Sequence, residues 1–171
     1  LQQERRLTAA ERGTAMHLVM QYLELGGPDP EEQVRRLTDR RLLTPQQAEA
    51  VDMERIRAFL GTPLAQEIRQ ARQVWREDRF ALLMPAALYD PAAEGEELML
   101  QGVVDCAFRT EEGLVVVDFK TDRLRPGEEQ GHSERYRAQI EAYSAALSRI
   151  TGVRVRRRVL WYFSTGTGVE I

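Results

Sequence analysis

The sequence predicts an α/β domain in which a mainly helical N-terminal part, up to about residue 75, precedes a sheet. Three observations carry this expectation. Apolar residues recur at helical spacing between capping signals through the early chain. Val115, Val116 and Val117 lie in a short run, residues 114–119, whose near-continuous apolar character is that of a strand buried on both faces. A polar turn containing Gly113 joins this run to an alternating one, residues 98–108, so the two read as a hairpin.

Taken in order, Thr8 and Glu11 have capping-box spacing, and Met16, Val19, Met20 and Leu23 share a helical face until Gly26, Gly27 and Pro28 stop the run. A second helix is expected over residues 31–42. Thr44 and Pro45 open a third that reaches about residue 60, and Thr62 and Pro63 open a short fourth carrying Leu64 and Ile68. Strands are expected to begin at residue 80, with an acidic, alanine-rich loop over 90–97 before the hairpin and a polar loop over 122–131 after it. Ser133 is expected to cap a helix with Tyr136, Ile140, Tyr143, Leu147 and Ile150 on one face, and a strand follows over 153–163. In that strand, alternation sends Arg154, Arg156 and Arg158 to one face and Val153, Val155, Val159 and Trp161 to the core. The basic face reads most simply as a solvated edge, with a DNA track or a docking surface as alternatives.

Composition narrows the function classes. The 171 residues, 43% of them apolar, suffice for one domain with one core. No apolar stretch approaches a membrane span, and residues 1–6 have no secretory-signal character. Cys106 is the only cysteine, which excludes an internal disulfide framework and any cluster held by four thiolates of this chain; it points to a reducing, cytoplasmic compartment. The net charge of -3 is not that of a free-standing DNA binder. No Gly-x-x-x-x-Gly-Lys-Ser/Thr loop is present to bind ATP.

The chemistry concentrates around one residue. Of 24 basic side chains all but Lys120 are arginine. Arginine and lysine serve about equally as surface charge, so this position requires a compact ammonium on a flexible stem. Asp118 lies two residues earlier on the same strand and therefore emerges on the same side. A turn centred near residue 111 places Asp118 opposite about residue 104, within cross-strand reach of Asp105. A lone acid at a strand end is ordinarily solvated, and a Lys120 ion pair with either aspartate would also satisfy the charges. Asp118 among valines, however, needs a partner or a metal.

Asp105, twelve intervening residues, then Asp118-Phe119-Lys120 resembles the core motif of the PD-(D/E)xK nucleases. Arg12-Gly13-Thr14-Ala15-Met16-His17, Arg76-Glu77, Thr121-Asp122 and Gln139-Ile140-Glu141-Ala142-Tyr143 follow in the order and spacing of the RecB-like branch. The similarity is strongest to the C-terminal nuclease domains of AddA-type subunits of bacterial AddAB helicase-nucleases, and it runs from about Arg12 onward.

This resemblance implies a restriction-endonuclease-like PD-(D/E)xK core, a mixed central sheet flanked by helices. It implies metal-dependent hydrolysis of DNA with Asp105, Asp118 and Lys120 as catalytic residues. The metal ligands would be His17, Asp105, Asp118 and the main-chain carbonyl of Phe119. Mg²⁺ is the expected ion, with Mn²⁺ tolerated because imidazole suits it. Gln139 and Tyr143, four apart on one helical face, would support the strand or Lys120, and Glu77 is a further acidic candidate. His132 matches no motif and reads as a solvated residue. The chain begins at Leu1 rather than methionine. It is therefore expected to be part of a longer polypeptide, with an N-terminal helicase portion hydrolysing ATP, an AddB-type partner subunit, and single strands or unwound duplex ends as substrate. A stand-alone exonuclease and a catalytically silent scaffold of the same fold are the alternatives.

Overall fold

Helix α1 (Ala9–Tyr22) starts where the sequence places its cap. Thr8 Oγ1 accepts the Glu11 N–H at 3.2 Å, and Glu11 Oε2 accepts the Thr8 N–H at 2.7 Å, so two otherwise orphaned donors are satisfied reciprocally. The structure, a computed structural model, describes residues 6–171, and the reading of the first six residues as lacking a signal falls almost wholly outside them. Helices α2 (Pro30–Asp39), α3 (Pro45–Ala50), α4 (Met53–Leu60) and α5 (Pro63–Gln70) complete the helical part.

Two boundaries differ from expectation. Helix α2 stops at Asp39 because Arg41 takes left-handed backbone (φ 59°) and the Leu42 N–H returns to Leu37 O at 2.9 Å. Such a closure ordinarily uses glycine and so leaves no mark in this sequence. The helix expected from Thr44 to about residue 60 is two helices. Asp52 accepts the Arg55 N–H at 3.2 Å and caps α4, a local side-chain bond that competes with helix continuation.

Strands β1 (Val74–Pro85), β2 (Glu97–Arg109), β3 (Leu114–Lys120), β4 (Val155–Tyr162) and β5 (Thr167–Glu170) form one sheet in that order. Only the β3–β4 pairing is parallel. Helices α6 (Glu129–Ser133) and α7 (Arg137–Thr151) make the crossover that a parallel pair requires. Strand β1 starts earlier than expected, since Arg76, Glu77, Asp78 and Arg79 break the apolar alternation there. Ser133 does not cap α7. Its hydroxyl donates to Glu129 O at 2.7 Å and lies 2.9 Å from the Tyr162 hydroxyl.

Two apolar layers clasp the sheet. Helices α1 to α5 bury Met16, Val19, Ile56 and Phe59 against Cys106, Val117, Phe119 and Trp161. On the other face, Ile140 and Leu147 of α7 pack on Val116, Leu160 and Tyr162. A register shift places Val155 opposite Leu114 but Arg157 opposite Val115, so Val155 joins the α7 layer while Val159 and Trp161 face α1 to α5. The single core face expected for Val155, Val159 and Trp161 is thereby corrected. Among the described residues no helix is long and apolar enough to cross a membrane.

Phe59 is fully buried and meets the rings of Phe119, Trp161 and Phe163 at 5.4, 5.2 and 6.2 Å. Phe59→Ala should therefore destabilise the fold by about 3–5 kcal/mol. Chemical denaturation should show a lower midpoint with an unchanged slope.

Candidate active site

The hairpin ladder between β2 and β3 pairs Cys106 with Val117. The next residues outward are Asp105 and Asp118, so the two carboxylates face each other where the ladder between these strands ends. This is one residue from the sequence-based register, which set Asp118 opposite residue 104. Asp105 Oδ2 accepts the Phe119 N–H at 2.7 Å, which fixes that carboxylate between the strands.

Other elements bring the remaining groups. His17, on α1, sets Nδ1 3.3 Å from Asp105 Oδ1. Lys120 Nζ lies 2.8 Å from Asp118 Oδ2, with both side chains largely buried. Glu77 lies within β1 and takes left-handed backbone (φ 47°), a strained state for a residue with a Cβ. Ligand atoms of His17, Glu77 and Asp105 lie within 4.8 Å of one another, a spacing that a single cation can bridge.

Helix α1 is held at the sheet by two local devices. Arg76 donates to the Met20 carbonyl at 3.2 Å and also to that of Leu23, satisfying acceptors at the end of α1 with a cation. At Gly13 an added Cβ would come within 2.8 Å of Thr121 Oγ1. Glycine at this position lets α1 come close to the segment that follows Lys120.

The site opens into a cleft of about 790 Å³ whose walls include Arg12, Gly13, His17, Arg55, Asp118, Lys120, Arg123 and Tyr136. A second concavity of about 550 Å³ reaches His17 from the side of Glu77 and Arg79. Gln139 and Tyr143 line neither. Gln139 donates to the Tyr143 hydroxyl at 3.2 Å, and the Tyr143 ring packs edge-on to Phe80 at 5.3 Å beneath Gly102. His132 is not solvated as expected: its side chain is 16% exposed, and Nε2 lies 3.3 Å from Asp122 Oδ1. Sequence reasoning also missed Tyr136, whose ring covers the Lys120 ammonium at 3.6 Å. Its place three residues before Gln139, in the run Tyr-Arg-Ala-Gln, was the one signal that could have found it.

Electrostatics follow from the crowding of acids. Burial, then the adjacent Asp105 charge, push the Asp118 carboxyl up to about 7 despite Lys120. Burial acts on Asp105 in the same sense, but His17, Asp118 and the Phe119 N–H outweigh it and hold that carboxyl below its ordinary value. The Glu77 carboxyl is raised by burial and by Asp105. Burial would lower the His17 imidazole, yet Asp105 and the neighbouring acids raise it.

The fold and the facing carboxylates beside a lysine are those of a nuclease class, and the sequence agrees. A family model described as the PD-(D/E)XK nuclease superfamily matches residues 1–169, and the chain belongs to that superfamily. Curated relatives include the A subunit of the ATP-dependent helicase/nuclease of Acetivibrio thermocellus, 43% identical over 171 residues covering 97% of this chain. The proteins of the same name from Bacillus velezensis and Heliobacterium modesticaldum are 39% and 40% identical over 94% and 97% of it. The chain spans about 14% of the length of the first two and 13% of the third.

A raised Asp118 pKa gives stability that is full below the unfolded value of 3.8 and is lost as pH rises through about 7. Metal-free protein should therefore weaken across that window, by at most about 1.4 kcal/mol per pH unit for this one proton. Asp118→Asn should flatten the slope of melting midpoint against pH. The residual slope then belongs to Glu77 and His17, whose raised pKa values act in the same sense.

Proposed function

We propose that this chain, as one nuclease domain, hydrolyses phosphodiester bonds of DNA within an ATP-dependent helicase-nuclease. The observation that carries the reading is the convergence of His17, Asp118 and Lys120 on one cleft, with Asp105 held against His17 beside them. The residues present fit a divalent cation. Oxygen and imidazole donors stand within bridging distance, and the acids are too crowded to be ionised together without a cation. His17, Asp105, Asp118 and the Phe119 main-chain carbonyl would hold Mg²⁺, with Mn²⁺ tolerated; Glu77 extends the donor set. Bound there, the ion supplies Lewis acidity towards the phosphoryl oxygen and activates water.

The chain's own side chains do the rest. Lys120 offsets charge that develops on the phosphate and orients the attacking water by hydrogen bonding. His17 and the Phe119 N–H hold Asp105 in one orientation. Arg12, Arg55 and Arg123 flank the cleft and offer contacts to the phosphates of a strand. Tyr143 and Gln139 support the site indirectly: Tyr143 packs under Gly102 on the strand that carries Asp105, and Gln139 donates to its hydroxyl.

The relatives' name couples a helicase to a nuclease, and the length ratio agrees with a domain of a larger polypeptide. In this reading a helicase portion of the same polypeptide hydrolyses ATP and delivers single strands from duplex ends at high local concentration. An AddB-type subunit partners it, and the work is cytoplasmic and serves break repair.

Asp118→Ala should abolish Mg²⁺-dependent cleavage of single-stranded DNA while circular dichroism shows a native fold. Lys120→Arg, which keeps the charge, should lose turnover by about 100-fold or more in the same gel assay, since a guanidinium fork does not replace an ammonium beside the phosphate. Tethered action further predicts weak binding by the isolated chain, with a shallow salt dependence in fluorescence anisotropy, and preference for single-stranded ends. Tight, steeply salt-dependent binding with efficient duplex degradation would instead identify an independent exonuclease.

A further inference from the structure

The segment between Asp122 and Tyr136 carries side chains to which the proposed site gives no task. The Tyr136 hydroxyl donates to both carboxylate oxygens of Asp122 at 3.2 Å, and His132 Nε2 stands 3.3 Å from the same group. Ser133 anchors this turn to β4 through the Tyr162 hydroxyl at 2.9 Å. At its end, the Tyr136 ring lies 3.6 Å from Lys120 Nζ. Resting on the nuclease reading above, we infer that Tyr136, fixed by Asp122 and His132, is a positioning residue that holds the Lys120 ammonium in the cleft.

Lysine reaches the phosphate on a flexible stem, so its usefulness depends on what limits its rotamers. Asp118 is one limit, at 2.8 Å. That carboxylate is also a proposed metal ligand, and an oxygen shared with a divalent cation attracts an ammonium less strongly. The face of an aromatic ring attracts the same cation through its quadrupole and is not a metal ligand, so its hold survives metal binding. Donation of the hydroxyl to a carboxylate adds electron density to the ring and strengthens the attraction. Burial and the Asp122 charge push the Tyr136 phenol up to about 12, so it stays a neutral donor under ordinary conditions.

A packing role alone does not account for the arrangement. Tyr136 is half-buried and lines the open cleft, where water would satisfy its hydroxyl. Instead the hydroxyl is committed to Asp122, two residues beyond Lys120, and this fixes the ring relative to the strand that carries the lysine. His132, expected to be solvated, stands against the same carboxylate, with Nε2 3.3 Å from Oδ1, and its ring lies 5.7 Å from that of Tyr136.

Because Lys120 is the only lysine, the chain grown with ¹³C,¹⁵N-lysine reports this one side chain by NMR. The ring should shift the Lys120 ε-methylene protons upfield of free lysine, with and without Mg²⁺. Tyr136→Leu should abolish the shift and lower kcat by about tenfold or more, with KM within about twofold, since orientation rather than binding is lost. Tyr136→Phe keeps the ring but loses the bond to Asp122, and Asp122→Ala loses the same bond; both should give a shift and a rate between those of the parent and Tyr136→Leu. An unshifted lysine signal in the parent, or turnover unchanged by Tyr136→Leu, would overturn the inference. An equal fall for Phe and Leu would also overturn it, because the ring would then be irrelevant. A shifted lysine in a parent chain that cleaves no DNA would sink the nuclease reading and still support the contact.

Discussion

Two carboxylates that cannot comfortably ionise together sit opposite each other where β2 and β3 part, and the surrounding structure is arranged around that conflict. Asp105 and Asp118 are drawn from water by the valine-rich sheet that carries them; the Asp105 charge pushes the Asp118 carboxyl up, while His17 and the hydrogen bond with Asp118 hold Asp105 below its ordinary value. The neutralising groups come from separate elements: an imidazole from α1, a main-chain N–H from β3 and an ammonium at the end of β3. Only β3 is adjacent in the hairpin. The imidazole reaches Asp105 only because α1 is docked closely against the sheet. Arg76 at one end of α1 and the Gly13–Thr121 contact nearer the other meet this requirement. The helical layer is therefore part of the site's electrostatics as well as its packing.

What was legible in the sequence is what local periodicity and spacing encode. The valine run fixed β3, and the hairpin turn brought Asp105 to Asp118 with an error of one residue. That error was harmless, because both readings leave the carboxylates within side-chain reach. The breaks that went unseen have no compositional mark. Arg41 ends α2 in a conformation usually given to glycine, and Asp52 divides a continuous helical pattern with one side-chain hydrogen bond. The start of β1 was hidden because its charged residues serve other elements: Arg76 binds α1, and Glu77 turns toward Asp105 and His17.

The arginine-rich run in β4 shows the same limit from another side. Simple alternation put Arg154, Arg156 and Arg158 on one basic face. Of these, Arg156 donates to the Glu112 carbonyl at 3.1 Å, and Arg157, on the opposite face with Val159 and Trp161, meets Glu67 of α5 at 2.7 Å and Glu170 of β5 at 3.4 Å. These two arginines are structural ties. The basic groups that do border the cleft, Arg12, Arg55 and Arg123, come from three distant segments, so no sequence window could show them together. The same walls carry Asp52, paired with Arg55 at 3.0 Å, and Asp122, so the rim is mixed in charge, in keeping with a net charge of -3.

The solitary lysine is explicable by the size of its ammonium. Its ammonium occupies a niche between Asp118 Oδ2 at 2.8 Å and the face of Tyr136 at 3.6 Å, with the side chain only 12% exposed. A guanidinium could stack on the ring or fork onto the carboxylate. It could not do both from one compact centre, because stacking places its plane parallel to the ring and sends its donors out along that plane. Elsewhere arginine suits the molecule where a carboxylate presents two oxygens side by side, as Glu134 does to Nε and Nη2 of Arg137. The two cations are thus sorted by the shape of what they meet. At residue 120 the partners converge on a point, and only a point charge answers them.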